Sequence, residues 1–101
     1  MSNKPTVLII GCGSIGERHL RSFQSTGRCH VIACDTRPAI LADMAKKYKV
    51  ETSTDWKLAL ANPVCKVVVI CTPAPYHVPI AIEVLKCGRH CLIEKPLAIS
   101  L

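Results

Sequence analysis

Aromatic rings, acidic groups and long apolar runs are all scarce in this sequence. Its 101 residues include one Trp, two Tyr and one Phe, too few rings for the stacking platforms that hold single-stranded nucleic acid. Seven Asp and Glu stand against thirteen Lys and Arg, a formal charge of +6. The basic residues are dispersed rather than gathered into a stripe, so an anionic small ligand accounts for the sign as well as a polynucleotide does, and no nucleic-acid partner is expected. Lys46, Lys47 and Lys49 make the densest basic run, read as the wet carboxyl end of a helix, where cations suit the helix dipole.

No apolar run approaches the roughly 18 residues of a membrane span, so no membrane partner is expected. The residues before the first apolar run leave no room for the charged, apolar and cleavage regions of a secretory leader, and a cytoplasmic location is expected. Paired Cys-x-x-Cys ligands are missing too. Seven cysteines, Cys12, Cys29, Cys34, Cys65, Cys71, Cys87 and Cys91, are scattered through apolar segments, which argues for reduced, mostly buried thiols. Cys87-Gly-Arg-His-Cys91 has no second ligand pair, and no metal is expected.

Glycine is equally sparse, and three of the five glycines fall in one place. Val7-Leu-Ile-Ile-Gly-Cys-Gly-Ser-Ile-Gly16 runs an apolar strand directly into Gly-x-Gly-x-x-Gly. Gly11 permits the tight exit from the strand, Gly13 lets the backbone approach a pyrophosphate, and Gly16 lets the next helix lie close.

Around this turn, short apolar strands alternate with amphipathic stretches, as a parallel sheet with crossover helices requires. The pattern predicts strands at about 6–10, 31–34, 50–52, 67–70 and 91–93. Helices are predicted at about 14–25, from Pro38 to Tyr48, after a cap at Thr54 or Asp55, and from about Tyr76 to Cys87, ended by Gly88. In the first helix Ile15, His19, Leu20 and Phe23 lie on or near one face, with His19 as a core histidine, while Glu17, Arg18 and Arg21 face water. The fold class is α/β: a Rossmann-type doubly wound parallel sheet of about five strands with helices on both faces. At this length it is one domain, 1–101. The pattern stops at Leu101 with Ser100 resembling a helix start, so the sequence reads as a fragment whose fifth strand is an edge open to pairing with a second copy in a homo-oligomer.

Candidate site residues cluster after the strands. Besides the glycines, Cys12, Ser14 and Ile15 complete the phosphate-binding turn. Asp35 ends the second strand, nineteen residues after Gly16, where a carboxylate accepts both hydroxyls of the adenosine ribose and repels a 2′-phosphate; this favours NAD. Thr36 and Arg37 follow, and Arg37 leaves NADP open, since it could stack on adenine or bind a 2′-phosphate. Cys71, Thr72, Pro73 and His77 follow the fourth strand, at the sheet edge where open α/β folds bind ligands. Glu94, Lys95 and Pro96 follow the fifth; Lys95 is placed to bond a ribose hydroxyl or a substrate oxygen and to join proton transfer. A non-catalytic dinucleotide-binding sensor or scaffold module would need the glycines and Asp35 without Lys95. A methyltransferase also uses a glycine-rich first turn and an acidic residue after strand two, but the glycine spacing and Glu94-Lys95-Pro96 speak against it.

Taken together these residues resemble the Gfo/Idh/MocA family of NAD(P)-dependent sugar and polyol oxidoreductases. Gly11 to Gly16, His19, Asp35, Thr72-Pro73 through His77, and Glu94-Lys95-Pro96 stand in the family's order over essentially the whole chain. The resemblance implies that Lys95 helps bind the nicotinamide ribose and substrate, as the catalytic residue of this half. It also implies that a second domain supplies most substrate contacts and the acid–base pair. The parent enzyme would then move a hydride between nicotinamide and a secondary alcohol of a carbohydrate-like substrate, and the isolated chain would turn over nothing.

Overall fold

Thr6-Val-Leu-Ile-Ile10 is rich in β-branched side chains and forms β1, whose five residues are all buried, as a strand covered on both faces requires. The structure is a computed structural model that describes residues 4–72 and 76–93, with His77 by its backbone alone. After β1 (Thr6–Ile10) come α1 (Ser14–Ser25), β2 (His30–Cys34), α2 (Pro38–Tyr48), β3 (Glu51–Ser53), α3 (Trp56–Ala61), β4 (Cys65–Ile70), α4 (His77–Lys86) and β5 (His90–Ile93).

The strands make one parallel sheet in the order β3-β2-β1-β4-β5. The chain winds outward from β1 to β3, returns through α3, and winds outward again from β4 to β5. Neighbouring β1 and β4 therefore send their following helices to opposite faces, and a crevice opens at their carboxyl ends. Alternation along β1 feeds both layers. Val7 and Ile9 pack with Leu20 of α1 and Leu41 and Met44 of α2; Leu8 and Ile10 pack with Leu60 of α3 and Ile80, Ala81 and Val84 of α4. No described helix is long and apolar enough to cross a membrane.

Local chemistry sets the element ends. Pro38 occupies the first turn of α2, where its missing N–H costs nothing. Of the two expected caps for α3, Asp55 is the one used: its Oδ1 accepts the N–H groups of Lys57 and Leu58 at 2.9 and 3.4 Å. α2 stops at Lys49 in the left-handed region, φ 59°, with its N–H on the Ala45 carbonyl at 2.9 Å. Glycine usually fills that conformation.

Several expected details change. β2, β4 and β5 begin one or two residues early, because pairing rather than hydrophobicity sets the bounds: His30 and Cys65 both pair with Thr6, and His90 pairs with Val67. β3 is shifted by one residue to Glu51–Ser53, since Ile32 to Cys34 pair with those positions. α4 is one residue shorter at each end than expected. His19 is half-buried rather than in the core, and Ile15 is exposed. Glu17 does not simply face water; it accepts the Tyr48 hydroxyl at 2.5 Å and ties α1 to α2. All seven cysteines are free, but only Cys12, Cys34 and Cys65 are buried, with Cys87 fully on the surface, so the thiols are not mostly buried.

Candidate dinucleotide-binding site

Strand ends at the carboxyl edge are stitched together by backbone. Gly11 donates its N–H to the Cys34 carbonyl and Cys71 donates to the Ile10 carbonyl, each at 2.8 Å. Gly11 leaves β1 at φ 95°, and a Cβ there would lie 2.8 Å from the Cys71 carbonyl carbon. The turn after β1 thus presses against the turn after β4, and only glycine fits. At Gly16 a Cβ would stand 1.8 Å from the Gly11 carbonyl oxygen, so the first turn of α1 packs directly on the loop that precedes it.

Gly13 is different. Its φ of −70° and ψ of −165° suit any residue, and among the described residues a Cβ there would meet nothing within 4 Å. Neither conformation nor internal packing requires glycine at this position. The open space adjoins the amino terminus of α1, which no side chain caps. The helix's first hydrogen bond runs from the Glu17 N–H to the Gly13 carbonyl at 2.8 Å, leaving the N–H groups of the preceding turn outside the helical ladder. Uncapped N–H groups with the positive end of the helix dipole make an anion site. A pyrophosphate fits this cradle, with Gly13, Ser14 and Ile15 on its exposed rim.

Asp35 directly follows β2, with only 7% of its surface exposed. Its Oδ2 accepts the Cys12 backbone N–H at 2.8 Å and Arg37 Nη2 at 2.9 Å; its Oδ1 accepts Arg37 Nε at 2.8 Å and the Arg37 backbone N–H at 3.0 Å. The Arg37 guanidinium above all, helped by the two backbone N–H groups, outweighs burial and holds the Asp35 carboxyl down at about 2. Asp35 is therefore charged at neutral pH. Burial, then the Asp35 charge, pushes the Cys12 thiol up to about 11, and burial pushes Cys34 up to about 12. Both are protonated packing groups rather than nucleophiles.

Of the sequence-predicted residues, Gly11 to Gly16, Asp35, Thr36, Arg37, Cys71 and Thr72 meet along this edge, with Thr36 exposed and Cys71 and Thr72 half-buried. The backbone of His77 opens α4 at the same edge. Pro73, Glu94, Lys95 and Pro96 lie outside the described residues, as does Ser100. Sequence reasoning missed the Arg37 fork on Asp35, although the Asp-x-Arg spacing carries a signal for it. A separate cleft of about 380 Å³ is lined by Thr6, His30, Glu51 and Asn62 among others. Thr6, His30 and Glu51 begin their strands, so this cleft lies at the sheet edge opposite the cradle.

Residues 6–101 match the model of the oxidoreductase family GFO_IDH_MocA, NAD-binding Rossmann fold. The chain is 33% identical over 96 residues to 4-carboxy-2-hydroxymuconate-6-semialdehyde dehydrogenase of Sphingobium sp., covering 93% of this chain and 30% of that protein. It is 30% identical over 100 residues to levoglucosan dehydrogenase of Pseudarthrobacter phenanthrenivorans, covering 89% of this chain and 26% of the other. Among solved structures, GenD2 from gentamicin A biosynthesis, in complex with NAD, superposes with a TM-score of 0.89 at 32% identity, over 99% of this chain and 29% of that one. The chain spans less than a third of the length of the relatives it matches.

Proposed function

This chain belongs to the GFO_IDH_MocA family of oxidoreductases, and we propose that residues 1–101 are the nucleotide-binding domain of a two-domain dehydrogenase or reductase. The whole enzyme transfers a hydride between a nicotinamide cofactor and a secondary alcohol of a sugar-like or polyol substrate. The levoglucosan dehydrogenase likeness supports that substrate class. Because the chain covers less than a third of its curated relatives, substrate contacts and the acid–base pair belong to sequence beyond this domain, and the isolated chain binds cofactor without turnover.

The observation that carries this reading is Gly13, a glycine that neither its backbone conformation nor its surroundings require. A ligand that approaches the backbone closely supplies the reason, and the uncapped amino terminus of α1 makes that ligand anionic. Bound nicotinamide supplies the redox chemistry itself. The chain's residues hold and orient it: the Gly11–Gly16 turn at the pyrophosphate, Asp35 and its neighbours at the adenosine ribose, and Cys71, Thr72, Pro73 and His77 toward the nicotinamide. Glu94, Lys95 and Pro96 follow β5, and Lys95 bonds the nicotinamide ribose and the substrate.

The seven free thiols suit a reducing cytoplasm. Among the described residues β5 pairs only with β4, and its outer edge supports association of the isolated chain into a homo-oligomer. Titration with NADH and S-adenosylmethionine, followed by nicotinamide fluorescence or heat, tests the proposed function. NADH binding without methyl-donor binding is expected; the reverse preference defeats the dehydrogenase reading.

A further inference from the structure

We infer that Tyr48, at the end of α2, is a positioning residue for the phosphate cradle: it holds the Glu17 carboxylate against α2 and away from the amino terminus of α1, the place of the proposed pyrophosphate. The inference rests on the dinucleotide reading and deepens it.

Glu17 is the acidic residue in the first turn of α1. A carboxylate in that turn is drawn to the same positive helix end that serves a bound phosphate, which makes it a built-in competitor. Its backbone is fixed to the cradle, with the Glu17 N–H on the Gly13 carbonyl at 2.8 Å. Its charge is felt there: after burial and Asp35, Glu17 is among the groups that push the Cys12 thiol up. Yet no side chain caps α1; the Glu17 carboxylate is engaged on α2 instead.

Tyr48 does the holding. Its hydroxyl donates to Glu17 Oε2 at 2.5 Å, while Lys47 Nζ stands 3.7 Å from the same oxygen and closer, at 3.2 Å, to Asp43. Lys47 thus divides its charge between two carboxylates, and the hydroxyl is the shorter tether. Tyr48 is itself gripped from α1. Its backbone carbonyl accepts Gln24 Nε2 at 2.7 Å, and it packs against the layer that contains Leu20, Leu41 and Met44. Glu17 and Gln24 are seven positions apart, about two turns along one helix face, so α1 takes Tyr48 by its hydroxyl and by its backbone. The bond to Glu17 raises the Tyr48 hydroxyl above its ordinary value, which keeps it a donor at neutral pH.

Glu17→Gln and Tyr48→Phe separate this role from a mere tie between helices. Glutamine keeps an acceptor for the hydroxyl without the charge, and phenylalanine keeps the ring without the hydroxyl. Wild type, both single variants and the double variant, checked for folding by circular dichroism, are titrated with NADH by fluorescence at low salt and at about 0.5 M salt. At low salt Glu17→Gln is expected to bind NADH about two- to fivefold more tightly than wild type and Tyr48→Phe about two- to fivefold more weakly, the scale of one charge in a helix's first turn. The double variant is expected to match Glu17→Gln, since no charge is left to hold. At high salt these differences shrink. A helix tie alone would weaken binding in both single variants and would not respond to salt. Weaker or unchanged binding in Glu17→Gln overturns the inference, as does a folded Tyr48→Phe that binds like wild type; should Tyr48→Phe fail to fold, the direction of change in Glu17→Gln decides. Wild type that binds no NADH overturns the dinucleotide reading itself, and the inference with it.

Discussion

The carboxylate of Asp35 accepts the backbone N–H of Cys12 at 2.8 Å, joining the end of β2 to the turn after β1 across twenty-three positions of sequence. One buried side chain thereby fixes the glycine-rich turn after β1 relative to the end of β2, the two parts of the proposed dinucleotide site. Arg37 closes the same carboxylate from the solvent side. The proposed pyrophosphate and ribose sites thus share a residue, and disturbing Asp35 is expected to affect both.

Asp35 also sets an acid limit on stability. Its folded value of about 2 lies below the ordinary 3.8, so the unfolded chain takes up the proton first as pH falls. The stabilisation is complete above about pH 4 and is lost between there and pH 2. Thermal melts of wild type and Asp35→Asn at a series of pH values check this. The gap between them is expected to be constant from neutral pH down to about pH 4 and to close toward pH 2; a gap that persists unchanged at pH 2 contradicts it.

Thiol reactivity should divide the seven cysteines. Cys87 is exposed, whereas Cys12, Cys34 and Cys65 are buried, with Cys12 and Cys34 pushed up to about 11 and 12. Because the thiolate is the reacting species, iodoacetamide at pH 8 followed by peptide mass spectrometry should modify Cys87 in the folded chain. Cys12 and Cys34 should react only after denaturation. Early modification of Cys12 would mean the turn opens.

Gly16→Ala should damage folding rather than binding alone. The new Cβ would stand 1.8 Å from the Gly11 carbonyl oxygen, a clash with backbone that no rotamer relieves. A loss of about 3 kcal/mol or more is expected, at the severe end of single substitutions, read from urea unfolding. Wild-type stability in this variant would contradict the loop geometry.

Leu20, fully buried at 0% exposure, joins α1 to the sheet layer built on Val7 and Ile9. Leu20→Ala should cost about 2–5 kcal/mol through lost burial and the cavity left behind. Chemical denaturation measures it, and a loss under about 1 kcal/mol would show that this layer collapses around the gap.

The sequence is legible where one local rule dominates. Pro38 and Gly88 mark a helix start and a helix stop because each has a backbone preference that needs no tertiary partner. Val67 to Ile70 announces a buried strand by β-branching alone. His30, Cys65 and His90 were missed as strand residues because their place depends on a neighbouring strand. α2 ends at Tyr48 as expected, but its left-handed cap is Lys49 at φ 59°, where glycine is the usual residue, so the cap geometry itself carried no local signal. Glu17 carries no local sign of its contact, because its partner, Tyr48, lies thirty-one positions away. In the site, the glycine spacing pointed to the turn, but the mutual contact of Gly11 with the Cys71 backbone needed the fold.

The central claim is that the cradle beside Gly13 holds the pyrophosphate of a dinucleotide, and NADH titration of Gly13→Val beside wild type tests it most directly. A Cβ there meets no atom of the described residues within 4 Å, so the variant should fold and melt within a few degrees of wild type, on the order of a surface change. Wild type is expected to bind NADH, and the folded variant to lose about a hundredfold or more in affinity as the valine occupies the phosphate's place. A folded Gly13→Val that binds NADH as tightly as wild type would contradict the account.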